Sequence, residues 1–155
     1  MKKIQLRRSD CPISFGLETF GDRWTLLIIR DIVYFGKKTY GEFLASDEHI
    51  ATNILADRLA QLEADGILVK THSPTDKRRE IYTLTEKGLD LIPVLLEIAN
   101  WSFRHDPKTG APEAWIATVN ANKEVMTALI KDTVREGGAI FVGDNSVVSK
   151  LALMG

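Results

Sequence analysis

Between Trp24 and Val33 the chain carries Trp24, Leu26, Leu27, Ile28, Ile29, Ile32 and Val33. A helix over 23–34 is therefore apolar on almost every side, and such a helix is stable only at the centre of a fold, covered by other helices. The length allows this, since a chain of 155 residues can hide roughly 70% of the surface its unfolded form exposes. The rest of the sequence reads largely as helices able to supply that cover.

A first helix is expected from Cys11 or Pro12 to Phe20, with proline tolerated in its opening turn. Gly21 ends it, and Asp22 is placed to cap the central helix. Gly36 breaks that helix, and Thr39-Tyr40-Gly41-Glu42 matches a capping box for a short helix ending at 44–46. Another helix starts at 50–52 and stops before Gly66. On a helical wheel Ala51, Ile54, Leu55, Leu59 and Leu62 fall on one arc, and Thr52, Asn53, Ala56, Asp57 and Ala60 on the other. Short helix, tight turn, amphipathic helix is the helix-turn-helix arrangement. Two β-rich runs follow, 67–71 and 80–84, around the polar tip Ser73-Pro74-Thr75-Asp76-Lys77-Arg78-Arg79, which makes a hairpin.

Thr85 caps a long helix with Leu89, Ile92, Leu95, Leu96, Ala99 and Phe103 inward and Pro93 as a kink. A last helix spans 113–136, with a break expected at 120–122, and ends at Gly137-Gly138. The tail to Gly155 holds apolar patches at 140–142 and 147–153 but no assignable pattern. Asp106 to Pro112 has linker composition. The expected division is 1–106 as a winged helix-turn-helix DNA-binding domain and 107–155 as a C-terminal helix and tail. The fold class is mainly α (α+β).

One cysteine, Cys11, excludes an intramolecular disulfide framework and any multi-cysteine zinc site. The histidines at 49, 72 and 105 lack metal-ligand spacing and read as surface or helix-end residues. No stretch reaches the ~20 apolar residues of a membrane helix. The basic N-terminus lacks a signal peptide's apolar segment, so a cytoplasmic protein is expected. Gly-x-Ser-x-Gly, P-loop and dinucleotide motifs are missing, so no enzyme, cofactor or metal is expected. Trp24 and Trp101 read as core and dimer-interface packing, and Trp115 as core, with the lining of an effector pocket at the dimer seam as its alternative.

Net charge is −1, which taken globally argues against a nucleic-acid partner. Locally the pattern differs. Lys77, Arg78 and Arg79 sit consecutively at the hairpin tip, directly after a helix-turn-helix, where guanidinium groups suit phosphate oxygens and a narrow minor groove. On the outer face of helix 52–64, Asn53 can bond bidentately to adenine, Thr52 to base or phosphate, and Ala56 to a thymine methyl, with Asp57 one step on. Arg58 falls inside the apolar arc and reads as structural, its head paired with an acidic neighbour. Lys37, Lys38 and Arg23 precede or open helices and are weaker phosphate candidates.

Cys11-Pro12, Gly21-Asp22-Arg23-Trp24, Arg30-Asp31, Phe35-Gly36, Glu42-Phe43-Leu44 and the run Ile50 to Leu59 carry a resemblance. So do Leu62-Glu63, Gly66, Tyr82 to Gly88, Leu91 to Leu95 and Trp101. From about Arg8 to Arg104 the chain resembles the HxlR-type winged-helix regulators, relatives of the MarR type. The resemblance implies a homodimeric transcription regulator, often a repressor, bound to a palindromic double-stranded operator. It also implies dimer contacts from segments 11–20, 86–104 and 113–136. Many members carry serine where this chain has Ala51, so the cap of the recognition helix is expected at Thr52. Residues beyond about Glu136 fall outside the resemblance.

Some members sense oxidants or electrophiles through a cysteine at the place of Cys11. A helix N-terminus, with Arg7 and Arg8, favours a thiolate there, and Asp10 opposes it. The alternative for Cys11 is packing at a dimer seam, with control by a small ligand. The alternative for the whole chain is a helical module that binds a protein partner and no DNA.

Overall fold

In the computed structural model, which describes residues 7–155, the chain is mainly helical with one two-stranded antiparallel sheet. The segment before Arg7, most of the basic N-terminus, lies outside the described residues. Helix α1 (Pro12–Phe20) buries none of its residues. Helix α2 (Thr25–Phe35) begins two residues later than expected, because Asp22 caps from a distance. Its Oδ2 accepts the backbone N–H groups of Trp24 and Thr25, each at 3.0 Å. Gly36 stops α2 at φ 67, a left-handed conformation that glycine adopts without a side-chain clash.

Helix α3 (Tyr40–Leu44) has the expected capping box: Thr39 Oγ1 accepts the Glu42 N–H, and the Glu42 carboxylate accepts from Thr39 Oγ1 and Lys38 N–H. Helix α4 (Thr52–Ala64) follows after a short turn. Strands β1 (Leu68–His72) and β2 (Glu80–Leu84) pair with Leu68 opposite Leu84 and His72 opposite Glu80. The Tyr82 N–H also donates to the Lys38 carbonyl at 2.8 Å, which ties the stretch before α3 to the hairpin.

Where one long helix was expected after Thr85 there are two, α5 (Glu86–Leu89) and α6 (Ile92–His105). Pro93 is the reason. It has no N–H, and its ring would collide with the carbonyl one turn back, so it sits in the opening turn of a new helix. The C-terminal helix also divides, into α7 (Glu113–Ala121) and α8 (Lys123–Arg135), at the expected place. There Asn122 leaves helical geometry and its side chain accepts the Val125 N–H at 3.2 Å. A further helix, α9 (Val147–Met154), is capped by Ser146.

The unassigned tail has a definite task. The last carbonyls of a helix lack intrahelical partners. At the end of α2, the Ile140 and Phe141 N–H groups donate to the Val33 and Tyr34 carbonyls at 2.9 and 3.1 Å. Val147 and Val148 then bond back to Ala139 and Ile140, and Ala139, Ile140 and Val147 are buried. The Phe141 ring lies 5.3 Å from Trp115 and 5.9 Å from Tyr34. Trp115 is buried core, as expected.

One buried cluster results, continuous from Ile29 and Val33 of α2 to Phe43, Leu55 and Leu59, to Leu89 and Ile92, and to Ile130 and Ile140. Ion pairs run along α8 to α5 and α6: Arg135 to Glu86 at 2.7 Å, Lys131 to Asp90 at 2.9 Å, Lys123 to Glu97 at 2.7 Å. These are exposed and individually weak, so the apolar seam beneath them carries the attachment. Ile140→Ala should accordingly cost about 2–5 kcal/mol of unfolding free energy in a denaturant melt. A loss below about 0.5 kcal/mol, the range of a surface change, would show that the tail is not part of the cooperative core.

Candidate nucleic-acid interface

The first helical bond of α4 runs from the Leu55 N–H to the Ala51 carbonyl at 2.9 Å, so Ala51 is the cap residue and offers no side-chain acceptor. The expected shift of the cap to Thr52 is therefore wrong. Thr52 is already the first helical residue, and its carbonyl accepts the Tyr40 hydroxyl at 3.0 Å. Ala51 is also exposed and not on the apolar arc, because it precedes the helix. The consequence is chemical: the opening N–H groups of α4 have no side-chain cap, and a helix start in that state favours an anion.

Along α4, Leu55, Leu59 and Leu62 are buried, while Thr52, Asn53, Ala56, Asp57 and Ala60 are exposed together. Arg58 is half-buried between two carboxylates. Its Nε lies 2.9 Å from Asp22 and its Nη1 2.6 Å from Asp57. Partial burial pushes the Asp22 carboxyl up. The Thr25 hydroxyl, the Arg58 guanidinium and the Trp24 and Thr25 N–H groups outweigh that and hold it down at about 2.

The hairpin tip is closed by the Ser73 N–H on the Arg79 carbonyl at 2.8 Å, and by Asp76, which accepts the Arg78 N–H at 3.0 Å. This turn projects Lys77, Arg78 and Arg79 outward, all exposed. The Arg78 side chain is 95% exposed, and its 3.6 Å approach to Asp76 is too open to hold it.

The weaker candidates are placed differently. Lys37 turns inward, its Nζ donating to Ser46 Oγ at 2.6 Å and lying 3.8 Å from the buried Asp31. Asp31 also accepts from the Ser46 hydroxyl and from Arg30, which in turn grips Glu48 with two bonds of 2.5 and 3.0 Å. Lys38 Nζ donates to the Gly137 carbonyl at 3.2 Å, toward the tail. Arg23 is exposed beside Asp22. Composition could not reveal these inward partners, although an aspartate inside so apolar a helix signals that a cation must reach it.

Cys11 is exposed at the N-terminus of α1, its N–H on Ser9 Oγ at 3.3 Å. Arg7 is engaged by Asp10 at 3.2 Å and by the face of Phe15 at 5.9 Å, so it is not directed at the thiol alone. Beside it, Ile13, Phe15 and Leu17 of α1 are exposed, as are Ile98 and Trp101 on α6. Trp24 packs against the core, while Trp101 is 60% exposed. Among the described residues no helix is long and apolar enough to cross a membrane, and no cluster of potential metal ligands occurs.

The model of the HxlR-like helix-turn-helix family matches residues 19–109. Rv3095 of Mycobacterium tuberculosis strain H37Rv, an uncharacterized HTH-type transcriptional regulator, is 34% identical over 97 residues, 63% of this chain and 60% of its own length. The match thus leaves about 40% of that relative unaccounted for. Among solved structures, the candidate transcription factor PA1607 is 34% identical with a TM-score of 0.61, covering 68% of this chain and 73% of its own. The redox regulator HypR in its reduced form is 27% identical with a TM-score of 0.54, covering 63% and 95%. These relatives are described as regulators, and the family match at 19–109 runs from α2 through α6, taking in α4 and the hairpin. The chain belongs to the HxlR-like helix-turn-helix family of transcriptional regulators.

Proposed function

We propose that the protein is a homodimeric, sequence-specific DNA-binding regulator that represses transcription from a palindromic operator. The observation that carries this reading is the pairing of one exposed α4 face, Thr52, Asn53, Ala56 and Asp57, with the outward basic tip Lys77, Arg78 and Arg79. Thr52, Asn53 and Ala56 suit base edges in a major groove, with Asp57 at their border, and the tip suits phosphate or minor groove. Arg23 supplements the phosphate contacts. Lys37 and Lys38, engaged within the fold, contribute chiefly by position.

Dimerisation is supported by α1, an apolar helix with no buried residue in its own chain, and by the exposed Ile98 and Trp101 on α6. A second copy is the cover this surface calls for. Two recognition helices would then enter successive major grooves, roughly 34 Å apart. Such a role is a cytoplasmic one. Repression is the outcome the family resemblance implies.

Control by Cys11 is the effector reading we favour over a small ligand, because its sulfur is exposed at the first turn of the helix expected to lie at the dimer seam. With one cysteine per chain, oxidation gives an intermolecular or mixed disulfide.

Lys77/Arg78/Arg79→Ala should weaken binding to every duplex and flatten its dependence on salt, since phosphate contacts release counterions. An unchanged salt slope in a titration contradicts the wing's role. Asn53→Ala should cost about 1–3 kcal/mol on the operator and little on random DNA; equal losses on both assign Asn53 to positioning. Diamide or a quinone should release wild type from DNA and leave Cys11→Ser bound. Identical release of both removes Cys11 from the mechanism.

A further inference from the structure

Arg58 lies on neither face of α4. It sits at the border between the buried stripe and the exposed one, and its guanidinium spans the two. Nε binds Asp22, at the junction of α1 and α2, at 2.9 Å, and Nη1 binds Asp57, on the outward face, at 2.6 Å. Asp22 does not depend on Arg58 for satisfaction. It also accepts from the Trp24 and Thr25 N–H groups at 3.0 Å and from the Thr25 hydroxyl at 2.5 Å. The two carboxylates differ in exposure: the Asp57 side chain is 69% exposed and Asp22 29%. Asp57 therefore stands one residue from Ala56 and one turn from Asn53 with its charge open to any approaching phosphate.

Only about 30% of the Arg58 and Asp22 side chains is exposed, so solvent screens the pair incompletely and loss of the cation leaves Asp22 half-buried without one. What a two-pronged guanidinium fixes is direction, because its nitrogens have a set geometry that a lysine ammonium lacks. The same side chain cancels a negative charge on the surface that must meet a polyanion.

We propose that Arg58 is a positioning residue of the DNA face, orienting α4 against the α1–α2 junction through Asp22 while neutralising Asp57. This deepens the DNA-binding reading and rests on it. Through Asp22, the junction that ends the exposed helix α1 is mechanically joined to the helix that reads bases. A displacement of α1 at the dimer seam then has a direct route to the operator contacts.

The test compares wild type, Arg58→Lys, Arg58→Met and Arg58→Met/Asp57→Asn for melting temperature and for affinity toward a selected duplex and a random one. Arg58→Lys keeps the charge and loses the fork. It should leave melting and random-duplex affinity unchanged and lower affinity for the selected duplex about tenfold, the worth of one good base contact. Arg58→Met should weaken random-duplex binding as well, and adding Asp57→Asn should restore that binding without restoring the preference for the selected duplex. Three results overturn the proposal: unaltered preference in both single variants, no recovery on adding Asp57→Asn, or a lower melting temperature with the folded fraction still discriminating as wild type. If wild type itself prefers no duplex, the DNA-binding reading falls and Arg58's role with it; the wild-type measurement keeps the two failures apart.

Discussion

The burial of α2 along Ile28, Ile29, Ile32 and Val33, with only Phe35 exposed, is the constraint on which the remaining structure depends. Ile29 and Val33 are fully buried, and the helix satisfies them only by gathering the helix-turn-helix, the α5–α6 elbow and the C-terminal extension around itself. Its two ends are closed by different devices. Asp22 takes the opening N–H groups, and the returning backbone at Ile140 and Phe141 takes the closing carbonyls. The single buried charge within it, Asp31, is answered by Ser46, Arg30 and Lys37, which pins the turn between α3 and α4. Because α2 is fixed at both ends and in the middle, the elements resting on it are held at set angles. A recognition helix needs that rigidity if base contacts are to be specific.

The outward surfaces divide the work. The wing tip offers charge without geometry, and α4 offers geometry with little charge. The apolar faces of α1 and α6 are left for a second copy in our reading. In our reading, with three basic residues at the tip and a net charge of −1, non-specific binding is weak and operator contacts supply more of the affinity. The uncapped start of α4 fits the same economy, since it leaves backbone donors open to a phosphate.

Much of this was legible in the sequence because the signals are local. The apolar run of α2, the capping box at Thr39, the α4 wheel and the hairpin each depend on residues a few positions apart. The misreadings are where the deciding partner is distant or geometric. Thr52 has the right chemistry for a cap but the backbone becomes helical one residue too early. Pro93 was expected to bend a helix and instead separates two, because the chain had room to restart at Ile92. The tail 139–148 shows no periodicity, since it acts through backbone hydrogen bonds to α2 that no side-chain pattern announces. Lys37 and Lys38 look in sequence like free cations, yet their partners lie at Ser46, Asp31 and Gly137. Arg58 was legible as a paired residue, but the identity of Asp22 as its partner required α2 and α4 to be brought together.

The central claim is that two copies of this chain read DNA through α4. Selection from a pool of random duplexes measures it most directly. The expected result is enrichment of an inverted repeat whose half-sites are centred about one helical turn apart, roughly 10 base pairs. Recovery of no enriched motif, with the protein folded and in excess, would contradict it and favour a helical module that recognises another protein.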